Sequence, residues 1–209
     1  MKEIMGDHEP THFSTITEPA EVKKLLDNIR SVENGHWSTK YGLLFMAYTS
    51  LRSANVRKAQ WSHIDFEKKR MTIPKKEMKI KKVKLNNAED FRLPLADQTI
   101  NLLQEAQKLS GHGKYIFPSI RGDRPMSENA MLVLIRSLDY TKDEFTPHGF
   151  RAMFATVAND ESNDFDRDLI DAQLAHKVGD RTSQSYNRGD YLNRRIELSQ
   201  WWADWLDSL

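Results

Sequence analysis

Apolar residues recur along the chain at two spacings, and the change from one to the other organises it. Over residues 17–31, Val22, Leu25, Leu26 and Ile29 fall at i, i+3, i+4 and i+7, the stripe of an amphipathic helix. Thr17-Glu18-Pro19 in front supplies a hydroxyl cap, an acid and an early proline, all helix-start signals. Residues 38–50 carry Leu43, Leu44, Phe45, Ala47 and Tyr48, which predicts a helix buried on all sides. A shorter helix is expected over 54–61. The pattern then changes, and residues 70–73, 80–85 and 90–95 predict three short strands of a small antiparallel sheet. Helical spacing returns at Leu95-Ala96-Asp97, with Ile100, Leu102, Leu103 and Ala106, and ends at Gly111-His112-Gly113. A loop is expected over 118–125, and further helices over 127–138, 148–159, 168–176 and 190–206. The predicted class is mainly α with a small antiparallel three-stranded β-sheet.

Leu198, Trp201, Trp202 and Trp205 make one stripe on the closing helix, an area too large to leave in water. Packing on the chain's own core is the expected use, and docking on a second copy is the alternative. Residues 1–12 are polar, with Gly6 and Pro10, and are expected to form an arm or linker before a domain over 13–209.

Composition narrows the picture in only a few places. At 209 residues and 39% hydrophobic, the chain can build one sizeable core. A formal net charge of +1 neither favours nor excludes a nucleic-acid partner, because a local basic patch can do that work. The absence of cysteine excludes disulfides and thiolate metal sites and accords with a cytoplasmic protein. The longest nearly apolar run, residues 41–48, is far too short to span a bilayer, and the charged start lacks the pattern of a signal peptide.

Candidate chemistry is concentrated in the last third: His148-Gly149-Phe150-Arg151, then Gln173-Leu174-Ala175-His176, then Tyr186. A tyrosine hydroxyl is a nucleophile, an arginine fork matches a phosphate, and two imidazoles can donate hydrogen bonds or move protons near neutral pH. With Arg52 and Lys79 upstream, the set suits phosphoryl transfer on DNA without a metal. His148 and Arg151 lie three apart, so on a helix they share a face. The run Lys75-Lys76-Glu77-Met78-Lys79-Ile80-Lys81-Lys82-Val83-Lys84 is basic enough to reach a phosphate backbone.

Four blocks, in order, make the chain similar to the catalytic domain of the tyrosine recombinase (phage integrase) family. It most resembles the integrases of prophages and genomic islands. The blocks are Thr49-Ser50-Leu51-Arg52-Ser53-Ala54-Asn55-Val56 with Trp61-Ser62-His63-Ile64-Asp65; Ile73-Pro74 through Met78-Lys79-Ile80 to Arg92-Leu93-Pro94-Leu95; His148 to Arg151; and Gln173 to His176 through Ser185-Tyr186-Asn187-Arg188. The resemblance covers nearly all of residues 13–209. It implies an enzyme that cuts and rejoins DNA strands through a 3′-phosphotyrosyl intermediate, with no cofactor and no metal, during integration or excision of a mobile element. It implies Tyr186 as nucleophile, with Tyr191 and Tyr140 as competitors, and Arg52, Arg151 and His176 as stabilisers of the charged transition state. His148 assists proton transfer at the tyrosine. Lys79 protonates the leaving 5′-oxygen, with Lys76, Lys81 and Lys82 as alternatives, and Lys75, Lys76, Lys81 and Lys82 contact DNA. The implied partners are double-stranded attachment sites and, in a full-length protein, further copies in a synaptic tetramer. Arm-binding and core-binding domains are expected before the catalytic one and are absent from this chain.

One position departs from the family pattern. Asn55 stands where an acid usually orients the first arginine, and weaker support of Arg52 is the expected consequence. The same fold could also serve as a DNA-binding module that no longer cleaves, and a metal-dependent nuclease is a more distant alternative. Asp164-x-Asp166-x-Asp168 resembles the start of a calcium loop but lacks its glycine and closing glutamate, so it is expected to decorate a loop and a helix start. No His-Glu-x-x-His and no phosphate-binding Gly-x-x-x-x-Gly-Lys occurs.

Overall fold

A computed structural model describes residues 15–33, 37–78, 89–162, 164–176 and 188–209. Helix α1 (Pro19–Arg30) opens with Pro19 in its first turn, and the predicted stripe of Val22, Leu25, Leu26 and Ile29 is buried. Its N-cap is Glu18, whose carbonyl accepts from Glu21 and Val22, so Thr17 does not cap. Helix α2 (Trp37–Thr49) buries Gly42 through Ala47 without a break. It is the axis of the domain. The flanking helices α1, α3 (Ser53–Arg57), α4 (Asp97–Ser110), α5 (Ala130–Ser137), α6 (Gly149–Glu161) and α8 (Arg188–Asp207) all touch it. A helix in that place has no solvent side, which is why its sequence shows apolar residues all round.

The sheet runs antiparallel in the order β1 (Ile64–Asp65), β2 (Arg70–Ile73), β3 (Phe91–Pro94). Met71 pairs with both Ile64 and Leu93, and Met71, Ile73 and Leu93 point into the core. Two of the three expected strands are therefore in place. Their partner on the free side is Ile64–Asp65, two residues that show no alternation; the expected strand over 80–85 lies outside the described residues. The helix expected over 54–61 stops at Arg57, and a 3₁₀ turn follows at Trp61–His63. Residues 118–125 form a tight hairpin, β4 (Pro118–Ser119) with β5 (Gly122–Pro125), instead of a plain loop. Gly122 takes φ 109°, which permits its turn. The Asp123 carboxylate gathers the N–H groups of Lys114 and Tyr115 beneath it.

Helix α7 (Arg167–Gln173) begins with the Asp166 carboxylate accepting from the Leu169 N–H at 2.8 Å. Asp166 also pairs with Arg194, and Asp168 lies in the first turn, so these two acids sit at a helix start, as expected. The tryptophan stripe lies on the chain's own core. Leu198 and Trp202 are fully buried, Trp202 donates to the Ala47 carbonyl at 2.8 Å, and Trp205 stacks on Trp202. Among the described residues no helix is long and apolar enough to cross a membrane.

Candidate phosphate-binding site

Three helix ends converge to make the site. The first is the end of α2. The Ser50 N–H closes on the Met46 carbonyl at 2.8 Å, and Ser50 takes the left-handed conformation, φ 51°. That bend turns the chain so that Leu51 enters the core and Arg52 becomes the half-buried N-cap residue of α3. The second is the start of α6. Thr146-Pro147 leads in, the Gly149 N–H bonds the Thr146 carbonyl, His148 is the N-cap residue, and Arg151 lies in the first turn. The third is the end of α7. There the His176 N–H bonds the Asp171 carbonyl at 2.8 Å and the Ala175 N–H bonds that of Ala172 at 3.1 Å. These two bonds are a Schellman closure, with Ala175 at φ 51° where glycine is the usual occupant.

Arg151 joins the three ends. It is 5% exposed. One of its terminal nitrogens donates to the Ser50 carbonyl at 2.6 Å; the other donates to the Leu174 carbonyl at 2.8 Å and meets His176 Nε2 at 3.1 Å. None of these partners carries a negative charge. Burial, and then the neighbouring charge of Arg52, push the Arg151 pKa down to about 9. Burial lowers that of Arg52 as well. Arg151, held by two carbonyls and an imidazole, and the neighbouring Arg52 are two desolvated cations that repel each other, a pairing suited to an anion. A phosphate would answer both charges at once and match a guanidinium fork.

The structure therefore brings Arg52, Arg151 and His176 together, and it sets His148 at the head of the helix that carries Arg151. Asn55 also engages a segment that the sequence did not point to. Its carboxamide N–H groups reach the Glu77 carbonyl at 3.2 Å and the Met78 sulfur at 3.8 Å, so α3 holds the chain just before Lys79. Lys79 itself, Lys81, Lys82 and Tyr186 lie outside the described residues. Lys75 and Lys76 sit in a 3₁₀ turn, Lys75–Glu77, where the Lys75 N–H is taken by Asp90 and the Lys76 side chain is exposed. Of the competing tyrosines, Tyr140 is buried and accepts from Asn28, and Tyr191 packs against the core. Among the described residues no group of three or more His, Asp or Glu side chains could hold a metal ion.

Two supporting elements were not singled out in the sequence. Asp171 bonds His176 Nδ1 at 2.9 Å. Arg195, buried on α8, donates to the Gln173 carboxamide oxygen at 2.8 Å and lies over the Phe91 ring; Gln173 in turn donates to Ser199 at 3.0 Å. Burial lowers the Arg195 pKa to about 10. This network fastens α7, whose closing turn carries His176, to the closing helix and the sheet. Its only trace in the sequence is Gln173, the first residue of the Gln-Leu-Ala-His block.

The sequence and fold have known counterparts. Residues 15–192 match the phage integrase family. The integrase of Shigella phage Sf6 is 36% identical over 165 residues, which are 78% of this chain and 40% of that protein. The chain thus spans about 40% of the length of that relative. The integrase of mycobacterium phage Brujita superposes with a TM-score of 0.63 at 18% identity, covering 92% of this chain and 59% of that one. A lambda integrase dimer bound to a COC′ core site gives 0.56 at 15% identity, covering 89% and 51%.

Proposed function

Since the chain belongs to the phage integrase family, we propose that it is the catalytic part of a site-specific DNA recombinase. It cleaves and rejoins strands through a 3′-phosphotyrosyl intermediate, during integration or excision of a mobile element. The observation that carries this reading is the buried Arg151 beside Arg52, held by the Ser50 and Leu174 carbonyls with His176 at its edge. Such a site favours the extra charge of a pentacovalent phosphoryl transition state over the single charge of the diester, and that difference is what accelerates a reaction.

Tyr186 attacks the phosphorus, and its ester keeps the energy of the broken bond, so rejoining needs no cofactor. Lys79 protonates the leaving 5′-oxygen. Support for that role comes from Asn55, which holds residues 77 and 78 against the helix headed by Arg52. His148 assists proton transfer at the tyrosine, and His176 contributes its imidazole at the phosphate. The chemistry is metal-independent in this reading, because the guanidinium pair supplies the positive field that a metal would. Duplex DNA is the partner, as in the lambda integrase complex, and Lys75, Lys76, Lys81 and Lys82 are its backbone contacts. The full-length protein acts in the cytoplasm as a synaptic tetramer.

Nicked suicide DNA in EDTA tests this. A covalent protein–DNA band that is lost in Tyr186→Phe, with DNA binding retained, is the expected result. No band from the unaltered protein would leave a DNA-binding module of the same fold, and a band that EDTA abolishes would point to a metal-dependent nuclease.

A further inference from the structure

We propose that Asp171 is a positioning residue which fixes the tautomer of His176, so that the ring presents a bare Nε2 to Arg151 in the absence of DNA. The argument starts from donors and acceptors. An arginine carries N–H groups only, so at the 3.1 Å contact between Arg151 and His176 Nε2 the guanidinium donates and the ring accepts. The ring proton of a neutral His176 then sits on Nδ1, where the Asp171 carboxylate receives it at 2.9 Å. Both ring nitrogens are thus assigned by their partners.

The backbone explains why Asp171 is the residue that can do this. In the Schellman closure of α7, the His176 N–H returns to the Asp171 carbonyl, so the two residues meet although they are five apart and outside ordinary helical pairing. The left-handed Ala175 then turns the imidazole back over the helix end toward Arg151. A surface ion pair between Asp171 and His176 would need only one ring nitrogen. Here the second nitrogen is engaged by a guanidinium that is itself held by the Ser50 and Leu174 carbonyls, so the ring has one orientation and one tautomer.

The consequence deepens the recombinase reading and rests on it only for its role in the reaction. His176 begins as a hydrogen-bond acceptor, and it becomes a donor to a phosphate oxygen only after Nε2 takes a proton from solvent.

The test needs neither DNA nor cleavage. The ¹⁵N-labelled chain is examined at a pH where His176 is neutral, by long-range ¹H–¹⁵N correlation of the imidazole. The His176 signals are identified by their loss in His176→Gln. The expected wild-type pattern has a protonated Nδ1 and a bare Nε2. In Asp171→Ala the two nitrogen shifts should move toward each other, as both tautomers become populated. A wild-type ring protonated at Nε2, or an Asp171→Ala spectrum identical to wild type, would overturn the assignment. The wild-type spectrum is decisive even if the variant fails to fold. Failure here would leave the covalent-adduct experiment untouched, and failure of that experiment would leave the tautomer as found.

Discussion

Replacing Ser50 by glycine should make the protein more stable, although it removes a buried side chain. Ser50 is 2% exposed, its φ is 51°, and its hydroxyl has no hydrogen-bond partner among the described residues. An L-residue in the left-handed region costs about 1–2 kcal/mol, and glycine there costs nothing. Against that, glycine loses about 0.4–1 kcal/mol more conformational entropy on folding. The backbone exchange alone is therefore worth about 0.5–1 kcal/mol in favour of glycine. Removing the unpaired hydroxyl adds about 1 kcal/mol or more. The sum is about 2 kcal/mol, which for a domain of this size raises Tm by roughly 4–8 °C. Two further variants separate the contributions. Ser50→Ala removes only the hydroxyl and should gain about half as much. Ala175→Gly has no hydroxyl to lose and isolates the backbone contribution, about 2 °C. Thermal melts followed by circular dichroism measure all three. A Ser50→Gly protein that melts at or below wild type, or no more stable than Ser50→Ala, would refute the reasoning. Strain of this kind is kept where a neighbouring function demands the geometry. Of the four non-glycine residues with positive φ among the described residues, Ser50 and Ala175 stand directly before Leu51-Arg52 and His176, and both of those helix ends are tied to Arg151.

Trp202→Ala should lower Tm by about 10 °C, since a buried tryptophan is worth about 3–5 kcal/mol and the Ala47 carbonyl loses its donor; a loss no greater than that of the partly buried Trp201→Ala would contradict its place in the core. Inorganic phosphate should raise Tm in proportion to the logarithm of its concentration above Kd, and Arg52→Gln should flatten that response. An equal shift in both proteins would place the anion elsewhere. Lys79→Ala should slow cleavage by about a hundredfold or more, and a 5′-bridging sulfur substrate, whose leaving group needs no proton, should restore it. The same substrate should not rescue Arg52→Ala; rescue of both variants, or of neither, would remove Lys79 from the general-acid role.

What the sequence by itself determined is what depends on near neighbours along the chain. The stripe of α1, the uniformly apolar α2 and the alternation of β2 follow from side-chain periodicity, which a helix or strand imposes wherever it is placed. The four blocks likewise named Arg52, Arg151 and His176 from their local order. Where periodicity was too short, the reading failed: Ile64–Asp65 is a strand only because Met71 pairs with it, and 118–125 is a hairpin only because the chain around Gly122 folds back. The site's working geometry was decided by tertiary structure. Nothing in a serine or an alanine announces a left-handed residue, a conformation sequence statistics assign to glycine, and at Ser50 and Ala175 it persists beside carbonyls held by a buried guanidinium. Asn55, singled out in the sequence only as a weaker support for Arg52, donates to Glu77 and Met78, more than twenty positions away. Arg151 meets Ser50 across 101 positions, and Arg195 meets Gln173 across 22. A hydrogen bond at that separation leaves no periodic trace, because its partners are chosen by how helices pack and not by how far apart they stand in the chain.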